Sequence, residues 1–348
     1  MACITIVDNK QEWDGLVALF EHSDFYHTYE YHQIAKGESD RPILIKYSES
    51  DKLIVLPLLL RKIEDHPYWD ATSVYGYPGP LTKNINAQFN NVPFNRLLQE
   101  LLIEQNIISV FSRLNPFIPY QEIVLKNIGN ISFKGRIVNI DLFKELKCQK
   151  KDYNRRLKSY INQCRSHCTV KLATTKADIL TFIDLYYENM HRVHAANSYF
   201  FNKDYFFALV NAKDFKTETL LAVHNDTGKI VSAAMFVKKN NIVQYHLSGS
   251  SGNYLHLNAL KMLIDEMGTR ATAENYQYYN LGGGVSGNED SLFHFKSCFS
   301  KDYKEFKLWK YIVIKSVYQE LSDQKLQKEY ALLDPNNNDF FPRYRQSK

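Results

Sequence analysis

The segment "TLLAVHNDTGKIVSAAMFVKKNNIVQYHLSGS", residues 219–250, constrains the fold more than any other. It holds three apolar runs rich in β-branched residues, parted at Asp226–Gly228 and Asn240–Asn241. Both partings are turn signals, so the segment predicts three antiparallel strands. A strand, "TVKLAT", precedes it. So does "KADILTFIDLYYENMHRVH", whose apolar residues recur at three- and four-residue spacing and predict a helix. A further helix is expected from about Asn258 to Glu274, followed by the strand "YQYYNL" and three glycines.

The first half repeats that order. "CITIVD" reads as a strand, "QEWDGLVALFEH" as an amphipathic helix, and "RPILIKYSES" with "DKLIVLPLLLRKI" as a hairpin turning at "SESDK". An aromatic loop lies between that helix and the hairpin. "WDATSVYGYPGPL", a helix "FNRLLQELLIEQN" and a strand "IISVFSRLNPF" follow. By order, "YGYPGPL" corresponds to "HLSGSSGNY" of the second half. Such order is consistent with an internal duplication and equally with the common alternation of α/β chains. At 348 residues the chain exceeds the size at which single cores stop growing. The expected domains are 1–143 and 169–348, joined by a basic linker helix over 144–168.

That linker carries Lys150, Lys151, Arg155, Arg156, Lys158 and Arg165 with few acids. It reads either as a solvated helix or as a dock for a polyanion such as a pyrophosphate or an RNA backbone. The net charge of +5, from 43 Lys+Arg against 38 Asp+Glu, is too small to mark a nucleic-acid binder by itself. No run reaches the roughly 18–20 apolar residues of a membrane helix, and the start lacks a secretory signal. Five cysteines without export point to free thiols in a reducing cytosol, hence a cytoplasmic location.

Several constellations carry chemistry. In "VQYHLSGSSGNYLHLNALKML" strict alternation puts Val243, Tyr245 and Leu247 on one strand face, and Gln244, His246 and Ser248 on the other. The polar face leads through Ser248 and Gly249 to a helix N-terminus at Asn258. Free N–H groups there suit a phosphate or an oxyanion; the alternative is an ordinary helix start beside a wetted sheet face. Glu188, His191 and His194 form E-x-x-H-x-x-H on one helix, and Cys164, His167 and Cys168 lie close together, but neither set completes a metal site. No metal is expected. "SGSSG" is not a G-x-S-x-G elbow, and "LGGGVSG" fits neither a P-loop nor a dinucleotide fingerprint.

Taken in order, "ENMHRVHAANSYFFNKDYFFALV", "YHLSGSSGNYLHLNALKMLIDEM" and "YYNLGGGVSGNEDSLFHFKSCFS" resemble the FemABX-like branch of the GNAT acyltransferases. "YGYPGPL" and "YNRRLKSYINQCRSHCTVKL" share the resemblance, which is strongest from about Tyr153 to Phe306. It implies tandem GNAT-like α/β folds, with mixed, mostly antiparallel sheets flanked by helices. The N-terminal fold would take the acceptor, and the C-terminal one the acyl donor and the chemistry. Lys296 in "FHFKSCF" matches the family's cation after an aromatic, here Phe295. Gly282, Gly283 and Gly284 match a donor-side turn, Tyr254 a polar position ahead of the donor-side helix, and Tyr77 and Gly79 the acceptor-side turn.

The resemblance implies transfer of an acyl or aminoacyl group to an amine, most readily on an amino sugar of a surface-polysaccharide or peptidoglycan precursor. The acceptor would be nucleotide- or lipid-linked, compatible with peripheral inner-membrane association without a transmembrane segment. The expected donor is acyl-CoA as co-substrate, with no bound cofactor. Aminoacyl-tRNA is the alternative, because the R/Q-x-x-G-x-G/A phosphate loop of coenzyme A users is missing. A non-catalytic sugar- or RNA-binding protein is the remaining reading. The expected catalytic set is Lys296, His246 and Tyr254, with His246 either a general base or a hydrogen-bonded core residue. Donor-binding residues would be Ser248, Gly249, Asn258, Gly282, Gly283, Gly284 and Phe295. Acceptor-binding residues would be Tyr77, Gly79, Arg155 and Arg156.

Overall fold

The computed structural model describes residues 1–329 and 340–346. They fall into two compact units, Met1–Lys134 with Phe306–Lys348, and Gly135–Glu305. The first unit is built from β1 (Cys3–Val7), α1 (Lys10–Val17), α2 (Tyr29–Ala35), β2 (Arg41–Glu49), β3 (Lys52–Lys62), β4 (Trp69–Thr72), β5 (Leu81–Lys83), α3 (Val92–Glu104), β6 (Ile107–Arg113) and α4 (Gln121–Val124). The expected hairpin forms from the Arg41↔Leu60 pair to Glu49↔Lys52. The α3 helix buries Phe94, Leu98 and Leu102, one stripe at helical spacing. Within the aromatic loop, Thr28 accepts a hydrogen bond from Tyr31 N–H and so starts α2, a short helix that hydrophobic period alone does not reveal.

The chain continues through β7 (Asn130–Asp141), α5 (Leu146–Gln149), α6 (Arg155–His167), β8 (Cys168–Leu172), α7 (Lys176–Arg192), α8 (Lys203–Asn211), β9 (Lys216–His224), β10 (Ile230–Lys239), β11 (Ile242–Ser250), α9 (Ala259–Ala273), β12 (Tyr278–Gly282), α10 (Ser291–Lys296), β13 (Asp302–Ile312) and α11 (Lys315–Glu329). In the second unit the strand order is β8-β9-β10-β11-β12-β7. All neighbours are antiparallel except β11 and β12. In the first unit β1-β2-β3-β4-β6-β13 repeats this scheme, with β4 and β6 as the parallel pair. The repeated order read in the sequence is therefore a repeated sheet.

The domain limits at 143 and 168 do not coincide with these units. The sixth strand of the first sheet is Leu308–Ile312 of β13, paired with β6. That of the second is Val138–Asp141 of β7, paired with β12. The basic segment also behaves otherwise than a linker: Leu157, Ile161 and Cys164 of α6 are buried in one cluster with Met262, Leu263 and Met267 of α9. Strand pairing is non-local, so hydrophobic period tells that a strand exists but not which edge it joins. In the first unit Arg345 and Arg61 both bind the fully buried Asp70 carboxylate, which anchors the C-terminal residues beside β3 and β4.

Candidate active site

The second sheet opens at its only parallel pair among the described strands. β11 and β12 pair over Ile242–Gln244 and Tyr278–Asn280 and no further. Beyond that, β11 stays with β10 as far as Ser250, while β12 follows β7 through a register shift between Asn280 and Gly282. A wedge results, with one edge of β11 from Tyr245 onward no longer bonded to β12. Backbone N–H groups at such an edge must find another partner, or serve a ligand.

A bulge decides what faces the wedge. Phe236 lies opposite Tyr245 and Met235 opposite Leu247, so His246 is the extra residue. A one-residue bulge exchanges the two faces of everything after it. The strict alternation expected along Val243–Ser248 therefore fails. Ser248 faces the same side as Tyr245, and the two hydroxyls hydrogen-bond. Tyr245 packs against the α9 cluster. His246 instead meets the Tyr205 hydroxyl of α8 at 2.9 Å. The polar face of Gln244, His246 and Ser248 thus does not exist as one face.

Lys296 closes the α9 side of the wedge. Asp290 starts α10 by accepting from Phe293 N–H at 3.0 Å, and also accepts from Val285 N–H at 2.9 Å. This short helix carries Lys296 to its last position, buried at 7% exposure, where Nζ donates to Gly283 O at 2.7 Å. The ammonium stands 5.8 Å over the Tyr245 ring. Desolvation lowers the amine to about 8, opposed by the Asp290 carboxylate. Burial likewise pushes the Tyr245 phenol up to about 12, so it stays protonated at neutral pH.

The three glycines shape this corner. Gly282 has φ +77, and a Cβ there would stand 3.2 Å from Lys296 Nζ. A Cβ on Gly283 would come within 2.7 Å of Arg136 O, and one on Gly284 within 2.1 Å of Asn288 O. Gly282 thus leaves room for the lysine, while Gly283 and Gly284 let the turn approach the backbone of Arg136 and Asn288 closely. Phe295 packs against the α9 cluster, 6.0 Å from Phe299.

His246 lies on the other face from Lys296, so the two are not a catalytic pair across one site. Burial lowers its imidazole to about 4, and that of His32 in the first unit to about 4 as well. Both are neutral in the native protein at pH 7, whereas the unfolded chain protonates near 6.5. Their stabilisation is complete above pH 6.5 and is lost as pH falls toward 4. The shift corresponds to about 3 kcal/mol for His32 and less for the partly exposed His246. Urea midpoints taken from pH 7 to pH 4 are expected to fall steeply, and His246→Gln is expected to remove its share of that slope. A flat profile would contradict both assignments.

The remaining candidates scatter. Tyr254 lies in a 3₁₀ turn, Gly252–Leu257, 5.5 Å from the His224 ring. Asn258 begins α9 in a left-handed conformation, but its side chain accepts from Lys261 at 2.6 Å rather than capping the helix. Lys261 itself stands 4.1 Å over the Tyr160 ring of α6. A Cβ on Gly249 would meet the Leu185 backbone at 2.3 Å, which makes its role the packing of β11 against α7. In the first unit, Tyr77 contacts the Tyr26 and Phe306 rings, and its carbonyl accepts from Asn115. Gly79, at φ +56, lies against Gln121 and Asn115.

Arg165 of α6 and Lys150, at the end of α5, bind Asp265 of α9, whereas Arg155, Arg156 and Lys158 of α6 are exposed without an ion pair among the described residues. Asn154 N–H, just before them, donates to Cys298 O, two residues past Lys296. Among the described residues no group of three or more His, Cys, Asp or Glu could hold a metal. Glu188 accepts from Gly252 N–H and His191 packs on Phe200. Sequence reasoning missed Tyr245 because alternation counted it with the apolar face, and missed Asp290 as the helix start. An Asp three residues before Phe293 is the signal that marks such a start.

Residues 207–306, which span β9 to α10, match the family model of the FemAB family. No curated protein sequence matches the chain. The crystal structure of FemX is similar with a TM-score of 0.69 at 15% identity, covering 91% of this chain and 99% of that one. A conserved protein of unknown function from Bacteroides thetaiotaomicron is similar with a TM-score of 0.58 at 13% identity, covering 89% of this chain and 100% of that one. The fold class read from the sequence, α/β with mixed sheets flanked by helices in a GNAT-like arrangement, agrees with both the sheets and these likenesses. Over residues 207–306 the chain is thus similar to the FemAB family, and it shares its fold with FemX.

Proposed function

We propose that the chain is an N-acyltransferase whose reaction is centred on the β11–β12 wedge. The observation that carries this reading is Lys296, a buried cation held by Gly283 O where β11 parts from β12. The FemAB match supports transferase activity. In the reaction an amine attacks the donor carbonyl, the new C–N bond forms, and the carbonyl electron pair moves to oxygen. Lys296 stabilises that oxyanion, a well-placed donor contributing ~3–4 kcal/mol. Collapse expels the thiolate or ribose oxygen, which takes a proton, while the nitrogen loses one to water. His246, low-titrating and on the opposite face, fits a packing role better than that of base.

The acceptor is an amino sugar of a polysaccharide or peptidoglycan precursor, linked to a nucleotide or lipid and met on the cytoplasmic side. Arg155 and Arg156, exposed on α6, would hold its phosphates. The donor is acyl-CoA or aminoacyl-tRNA. Favouring the second, residues 252–257 form a closed 3₁₀ turn, and the Asn258 side chain is occupied by Lys261. Thermal stability with millimolar acetyl-CoA or coenzyme A separates the two. A ligand at 100 times its Kd adds about 2.7 kcal/mol. A clear rise assigns a thioester donor; no rise with CoA but product from charged tRNA assigns the aminoacyl ester. Sugar binding without product from either donor would overturn the catalytic reading.

A further inference from the structure

The wedge contains a pair of hydroxyls that the reaction scheme has not used. Tyr245 and Ser248 are three apart in β11, a spacing that in a regular strand points side chains to opposite faces. The extra residue at His246 brings them to the same face, and Tyr245 Oη hydrogen-bonds Ser248 Oγ. Ser248 stands opposite Ala234, whose small side chain leaves the contact room. Tyr245 is thereby fixed at two points. Its ring packs 5.9 Å from the Phe236 ring, and its hydroxyl is tied one turn of the bulge away.

The fixed ring has one polar neighbour of consequence. Lys296 Nζ lies over it at 5.8 Å, while Gly283 O takes one of its three N–H bonds. An ammonium over an aromatic face is held electrostatically, by roughly 0.5–2 kcal/mol depending on desolvation. A single carbonyl would leave a long lysine side chain free to swing. The ring is a second point of attachment that limits that swing.

We propose that Tyr245, locked by Ser248 across the bulge at His246, is the positioning residue that aims the Lys296 ammonium into the wedge. Its catalytic meaning rests on the acyl-transfer reading above; the contact itself does not. The bulge is then a device that turns a strand residue into a clamp, and its sequence requirement is a Tyr and a hydroxyl residue three apart. Threonine would satisfy the second position, alanine would not.

The test reads Lys296 directly. With lysine labelled at 13Cε, the Lys296 resonance is assigned by its loss in Lys296→Met. Tyr245→Leu is expected to move it downfield, out of the ring's shielding, and Ser248→Ala to move it part of the way. Ser248→Thr is expected to restore the wild-type position. In a turnover assay Ser248→Ala lowers kcat by ~10–100-fold with KM unchanged, the size of loss that a ~1 Å misplacement produces. If Tyr245→Leu does not fold, Tyr245→Phe takes its place, because it keeps the ring and removes only the lock. A Lys296 resonance unmoved in folded Tyr245→Leu and Ser248→Ala overturns the proposal. Absence of turnover in the wild type would instead count against acyl transfer, with the resonance test still standing.

Discussion

Replacing Lys296 with methionine is expected to make the protein more stable at pH 7 and nearly inactive. The native amine titrates at about 8 against an ordinary 10.5, so at neutral pH the fold bears the cost of a desolvated charge. Two and a half units correspond to about 3 kcal/mol. Methionine fills the same space without that charge, though it leaves Gly283 O without its donor, a loss of about 1–2 kcal/mol. The net gain is then about 1–2 kcal/mol. The unfolded chain holds a proton between pH 8 and 10.5 that the native protein has released, so wild-type stability rises with pH across that window. The advantage of the variant is therefore largest below pH 8 and has turned into a deficit by pH 10.5, where only the lost Gly283 O contact remains. Turnover moves the other way, with kcat down ~10²–10³-fold for a lost oxyanion donor. Urea denaturation at pH 7 and pH 10.5, with kcat on the same preparations, checks both. A variant that is inactive because it is less stable would return Lys296 to a structural role.

Gly249→Ala is expected to be the most damaging of the small substitutions. A Cβ there would sit 2.3 Å from both the carbonyl carbon and oxygen of Leu185, inside α7. Neither neighbour is a side chain that could rotate away, so the helix or the strand must shift. Overpacking of this kind costs about 1–3 kcal/mol, and a backbone clash belongs at the upper end or beyond. The expected result is a fall of about 3 kcal/mol in unfolding free energy, seen in urea. Gly228→Ala serves as the control: nothing lies within 4 Å of its added Cβ, although its φ of +67 carries a modest strain. If Gly249→Ala folds normally and loses only donor affinity, Gly249 belongs to a donor-binding surface and the packing assignment fails.

These two residues show how far the sequence reached. The meander of β9, β10 and β11 was legible because turn residues and β-branched runs act locally, within a few residues of chain. Lys296 was found through resemblance, as a lysine after Phe295, without any indication that it is buried. Gly249 was assigned to a ligand, whereas its neighbour is Leu185, 64 positions earlier in the chain. His246 was read from alternation, and alternation is the one rule a bulge cancels. Arg165 reads in the sequence as one of six cations in a segment with few acids, and its partner Asp265 lies 100 positions further on; Arg155 and Arg156 are exposed.

By itself the sequence determined the kinds of element, their order and its repetition in two halves, because period, turn chemistry and helix starts are properties of short stretches. Only the tertiary structure decided which strand edges meet, that residues 308–312 complete the first sheet and 138–141 the second, and that β11 is bulged at His246. Those choices depend on pairing between distant segments. One residue gained or lost in a strand exchanges its faces, and with them the set of side chains that reach the wedge.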